Sequence, residues 1–152
     1  MEKIPCFLSN FPALLYSPVK CSPHSIVQVK KMEIRHTMSQ GIVIVTPAGW
    51  LDTASSEAFL EYCATLPAVP VILDFSELTY LSSTGLRALL RFRMERTREG
   101  AEVVISGSRG LTHAVLRMSR FDRFFRSYPS AADAVEAIAK IASPATDARV
   151  SA

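Results

Sequence analysis

Two apolar runs too short to be helices constrain this chain most. Residues 69–75 read Val-Pro-Val-Ile-Leu-Asp-Phe and residues 103–105 read Val-Val-Ile, and a helix-period stretch separates them. Short apolar runs of this kind are the signature of strands buried on both faces, as in parallel sheets. Parallel neighbours need a crossover, and the intervening Leu86, Leu89, Leu90 and Met94 supply one, closed by Gly100.

The rest of the chain falls into the same alternation. Met32, Ile34, His36 and Met38 alternate with polar residues as in a half-buried strand, Ser39-Gln40-Gly41 is a turn, and residues 42–45 continue as a second strand of a hairpin. Gly49 and the Asp52-Thr53 pair end that strand and open a helix, with Asp52 or Thr53 as N-cap and Phe59, Tyr62, Cys63 and Leu66 on its inner face. Residues 111–118 form a short helix, residues 126–128 a short strand, and Pro129-Ser130 open a last helix to Ala142 with Val135, Ile138 and Ile141 inward. The predicted order is β-β-α-β-α-β-α-β-α, an α/β fold with a mostly parallel mixed sheet, an N-terminal hairpin strand and about four helices.

The ends differ from this core. Residues 1–31 hold four of the nine prolines and two of the three cysteines, a density that forbids a long helix. They are expected to be a poorly ordered extension, with the native start at Met32, a domain over 32–142 and a flexible tail over 143–152. No run of 18 apolar residues occurs, so no membrane span is expected. The cysteines lack metal or redox spacing, which points to a reducing, cytoplasmic setting and to no metal or other cofactor.

Catalytic motifs are missing: neither G-x-S-x-G nor G-x-x-x-x-G-K-[ST] occurs, and no enzyme activity is expected. Asp74, after a buried strand, reads as a strand-end hydrogen-bond acceptor. A nucleophilic Ser83 with His113 as base is the weakest reading, since nothing in the spacing brings them together. Net charge is only +3, yet residues 85–126 carry ten arginines against four acids. A solvated helix face explains most of that surplus; steering toward an acidic partner is the functional alternative. No motif for direct nucleic-acid binding accompanies it.

The most informative stretch is residues 74–86, Asp-Phe-Ser-Glu-Leu-Thr-Tyr-Leu-Ser-Ser-Thr-Gly-Leu. Ser82, Ser83 and Thr84 precede Gly85 and an apolar-periodic helix. One of the hydroxyls can cap the helix. A phosphorylated one would place its dianion at the positive end of the helix dipole, and Gly85 would leave the backbone open to a partner.

This stretch resembles the signature of STAS domains, and within them the bacterial anti-sigma factor antagonists. The Gly49-Trp-Leu-Asp52 segment resembles the family's Gly-x-Leu-Asp, and residues 107–125 resemble its short third helix, with Leu116, Met118, Phe121 and Phe124 at the usual apolar positions. The resemblance runs from about Met32 to Ala142. It implies that Ser83 is the phosphoacceptor, with Thr84 and Ser82 as alternatives, and that Asp52, Ser82, Ser83, Thr84 and Gly85 meet the partner. One departure stands out: Ser82 occupies the place of the family's usual Asp. The implied partner is an anti-sigma factor with a histidine-kinase-like ATPase domain acting as serine kinase, and a serine phosphatase resets the switch. A STAS subunit of a lipid-transport ABC system, or a STAS scaffold in another partner-switching assembly, is the alternative.

Overall fold

A computed structural model describes residues 26–29 and 32–142. The expected tail over 143–152 and most of the expected leader lie outside the described residues. Among the described residues seven strands form one sheet: β1 (Ile26–Val29), β2 (Met32–Ser39), β3 (Ile42–Leu51), β4 (Val71–Asp74), β5 (Leu78–Leu81), β6 (Val103–Ser106) and β7 (Ser127–Tyr128). The spatial order is β1-β2-β3-β4-β6-β7, with β5 pairing β3 beyond the end of β4. β1/β2 and β2/β3 are antiparallel; β3/β4, β3/β5, β4/β6 and β6/β7 are parallel. The helices are α1 (Thr53–Ala64), α2 (Ser83–Arg98), α3 (Gly110–Met118) and α4 (Ala131–Ala142), with a 3-10 turn over Phe121–Arg123.

Helices cover both faces. On one side Phe59, Tyr62 and Cys63 of α1, Leu89 and Phe92 of α2 and Leu116 of α3 pack on Val43, Val45, Leu73 and Ile105. On the other, Ala134, Val135 and Ile138 of α4 pack on Ile42, Ile72 and Val104. Alternate residues of the central strands therefore serve two cores, which is why these strands are apolar throughout.

The mixed sheet, the hairpin and the four helices match the expectation, with two strands added. β1 precedes Met32, inside the segment read as leader, and pairs with β2 from Ile26↔Arg35 to Val29↔Met32. β5 replaces part of an expected loop. It exists because β3 does not stop near Gly49 but runs on to Leu51, shifting register between Gly49 and Trp50 to meet Leu78–Leu81. Pro47 is tolerated inside β3 for a geometric reason. Val43 and Gly49, of the same parity, aim their N–H groups at the parallel neighbours, to the oxygens of Pro70 and Glu77, each at 3.0 Å. Pro47 falls in the gap between β4 and β5, where the ladder needs no donor.

Several assigned core positions shift. Met94 is 56% exposed, and α2 instead buries Ala88, Leu89, Phe92 and Arg96. Met118, Phe124 and Ile141 also face outward, while Phe125 is buried and stacks on Phe121 at 5.6 Å. Arg96 is a burial that periodicity could not anticipate. Its guanidinium donates to the carbonyl oxygens of Cys63 (2.8 Å), Leu66 (3.1 Å) and Pro67 (2.7 Å), and to Glu99 Oε2 (3.1 Å). The Cys63 and Pro67 oxygens also accept the Leu66 and Val69 N–H groups, at 3.2 and 2.8 Å, and Arg96 adds charge-assisted donors just past the end of α1. Arg96→Met keeps the bulk and removes the charge-assisted donors, leaving the Leu66 oxygen without a partner among the described residues. It should cost about 1–3 kcal/mol, read as a lower urea midpoint at unchanged slope.

Candidate functional site: the paired helix N-termini

β3 and β5 run parallel and end level, with Leu51 opposite Leu81. Their chains turn into α1 and α2 side by side, so Asp52 and Ser82 each follow a buried leucine and each become an N-cap. The Ser82 N–H donates to the Leu51 oxygen at 3.0 Å, pinning one turn to the other. All five sequence-assigned residues, Asp52 and Ser82 to Gly85, lie at this junction.

Their tasks differ. One Asp52 carboxylate oxygen, Oδ1, accepts the N–H groups of Ala54 (3.0 Å) and Ser55 (3.1 Å), and the Asp52 N–H returns to Ser55 Oγ (2.9 Å), completing a capping box. With Asp52 as cap, Thr53 is released, and its hydroxyl donates to Thr84 Oγ1 at 3.0 Å. Ser82 Oγ accepts the Gly85 N–H at 3.1 Å and caps α2. Ser83, the first residue of α2, is exposed, and its hydroxyl makes no hydrogen bond among the described residues. Of three adjacent hydroxyls, two are engaged inside the fold and one points out.

Gly85 departs from its expected role. It is buried, and a Cβ there would lie 2.4 Å from the Leu51 oxygen and 2.9 Å from Leu81 Cδ1. The close approach it permits is between α2 and its own sheet. Asp74 serves as read, accepting the Ser76 N–H at 3.1 Å. His113 pairs through Nδ1 with Ser108 Oγ at 3.1 Å, within the β6–α3 region. Cys63 is fully enclosed, and burial pushes its thiol pKa up, which leaves it unreactive. No group of three or more His, Cys, Asp or Glu among the described residues could hold a metal.

Sequence reasoning missed the aromatic pair beside the junction. Trp50 and Tyr80 stand opposite each other on β3 and β5, ring centroids 5.3 Å apart, and are 41% and 39% exposed. The only signal was their shared position, two residues ahead of each N-cap. Arg87, one turn beyond Ser83, is exposed and makes no ion pair among the described residues.

A family model for the STAS domain matches residues 33–134; the chain belongs to the STAS domain family. No curated protein sequence matches it. Among solved structures, it resembles an anti-sigma factor antagonist from Mycobacterium paratuberculosis (22% identity, TM-score 0.62, covering 70% of this chain and 92% of that one). It also resembles the anti-sigma factor antagonist SpoIIAA in its unphosphorylated form (15%, 0.58, 69% and 95%) and in its phosphorylated form from Bacillus (15%, 0.54, 69% and 98%). The STAS domain of a SulP transporter from Vibrio cholerae shares the fold as well (20%, 0.52, 70% and 88%). No helix among the described residues is long and apolar enough to cross a membrane.

Gly85→Ala should lower stability by about 1–3 kcal/mol, because the Leu51 carbonyl it meets is backbone. Ser82→Asp, which restores the family's usual residue, should leave the unfolding midpoint nearly unchanged, since Asp caps as well as Ser.

Proposed function

We propose that this protein is an anti-sigma factor antagonist switched by phosphorylation at Ser83. The observation that carries the reading is the division of labour among the hydroxyls: Ser82 and Thr84 are hydrogen-bonded within the fold, while Ser83 is exposed at the start of α2. A phosphate there meets the positive end of the helix dipole, and Arg87 lies four residues along the same face. The modified chain therefore stays folded, and the modification acts on binding. The fold alone does not choose among STAS functions, since a transporter domain shares it. The hydroxyl cluster and the antagonist-like neighbours favour this one.

In this reading the junction docks on an anti-sigma factor whose histidine-kinase-like ATPase domain is also the serine kinase. The exposed Trp50 and Tyr80 rings supply contact area of the kind interfaces favour. Unmodified Ser83 is buried in the contact and the sigma factor is released. A phosphoryl group brings nearly two negative charges to a surface that must be desolvated, and the complex separates. A serine phosphatase reverses the step. Catalysis and ATP binding belong to the partners, and the protein acts in the cytoplasm. Asp52 acts through the capping box, holding Thr53 against Thr84.

Ser83→Ala should bind the anti-sigma factor as wild type does and lose the phosphate by mass spectrometry after incubation with the kinase and ATP. Ser83→Asp should bind about 100-fold more weakly, roughly 2.7 kcal/mol. Wild-type affinity in Ser83→Asp would sink the switch, and a phosphate mapped to Thr84 or Ser82 would move it.

A further inference from the structure

Ser83 and Thr84 are adjacent hydroxyl residues, yet the fold treats them differently. Successive residues of a helix are turned about 100° from each other, so two side chains at the start of α2 cannot face the same way. Ser83 is exposed, while Thr84 is half-buried and turned toward α1. There the Thr53 hydroxyl donates to Thr84 Oγ1 at 3.0 Å. Thr53 is the first residue of α1, and its hydroxyl is not needed as a cap, because Asp52 already accepts the Ala54 and Ser55 N–H groups. The gap between the two helix ends is not slack either. The Ser82 N–H is held by the Leu51 oxygen at 3.0 Å, and Gly85 packs against that same oxygen. Helix ends fixed at this separation bring Thr53 and Thr84 within reach of each other and leave Ser83 outside the pair.

We propose that Thr53 is a positioning residue that selects the phosphoacceptor, withholding Thr84 from the kinase and leaving Ser83 to receive the phosphate. The inference rests on the switch at Ser83 and names what makes that switch selective. In the transfer, a lone pair of the hydroxyl oxygen forms the new O–P bond to the γ-phosphorus of ATP. The bond from that phosphorus to the bridging oxygen breaks, ADP leaves, and the hydroxyl proton passes to a base of the kinase. The attacking oxygen therefore needs a free lone pair and freedom to swing into line with the leaving oxygen. At Thr84 the Thr53 proton occupies a lone pair, draws electron density from the oxygen and holds the side chain in one rotamer against the first turn of α1. None of this applies at Ser83, whose hydroxyl makes no hydrogen bond among the described residues. The Thr53–Thr84 bond is exposed and competes with water, so it discriminates by a factor rather than absolutely. One neutral hydrogen bond is worth about fivefold in rate.

The test maps phosphate by mass spectrometry after the full chain is incubated with ATP and with the kinase purified from the source cells by its transfer of phosphate to the wild-type chain. Wild type is expected to carry phosphate at Ser83, and Ser83→Ala to be modified only slowly at Thr84. Adding Thr53→Val to Ser83→Ala should raise the Thr84 rate about fivefold. Thr53→Ala in the same background should do likewise, which covers the case that the valine variant folds poorly by circular dichroism. Adding Thr53→Ser instead restores the donor and should return the rate to that of Ser83→Ala alone. Ser83→Ala combined with Thr84→Ser should stay slow, because the hydroxyl at position 84 is still held and threonine bulk is no longer the cause. An unchanged Thr84 rate in both Thr53→Val and Thr53→Ala, a gain that Thr53→Ser keeps, or fast modification in the Thr84→Ser variant would each overturn the proposal while leaving the Ser83 switch intact. A wild-type chain that takes no phosphate, or takes it first at Thr84, overturns the switch and this inference together.

Discussion

The contact between the Leu51 carbonyl and the start of α2 organises this molecule. That oxygen accepts the Ser82 N–H and sits where a Cβ on Gly85 would have to be. It therefore sets how close α2 comes to the sheet and which way its N-terminus faces. The contact exists only because β3 overruns β4 and finds β5 as a second parallel partner. Strand extension, register shift and glycine are thus parts of one constraint, whose outcome is a pair of helix N-termini held side by side.

That pairing distributes chemistry among residues that look equivalent in one dimension. Asp52, a carboxylate that the family resemblance assigns to the partner contact, spends Oδ1 on two amides of α1. Ser82 and Thr84 are engaged by Gly85 and Thr53, and Ser83 is left facing out. The departure of Ser82 from the family's usual Asp has a simple consequence: Ser caps the helix without adding a charge beside Ser83. The field of the helix end is then less opposed at Ser83, the residue proposed to carry the phosphate.

The arginines show the same lesson through a single residue type. Arg96 is buried and ties the end of α1 to α2 through three carbonyls. Arg91 lies on the exposed face, bonded to Glu95 one turn on. Arg117, Arg120 and Arg123 gather around a recess with one acid among them. A charge count over residues 85–126 sees one basic segment, while the fold separates it into a structural clamp, a solvated face and an arginine-lined recess.

Much of the architecture was legible from the chain alone. Short apolar runs alternating with helix-period segments require a mostly parallel sheet with helices on both faces, because no other arrangement buries them. The N-cap pair at Asp52-Thr53 and the hydroxyls before Gly85 could be located by local chemistry, since a cap bonds within three residues of itself. Only the tertiary structure decided what depends on distant partners. β5 has too few residues to declare itself and is made by pairing with β3; Arg96 reads as a surface residue until the carbonyls of α1 surround it. Met94 reads as core by period and Met118 by the family resemblance, yet both face outward, because helix phase is set by the neighbours a helix packs on. Gly85 reads from sequence as an opening for a partner, but the atom it makes room for, the Leu51 oxygen, lies 34 residues away in its own chain, and no local pattern encodes that contact.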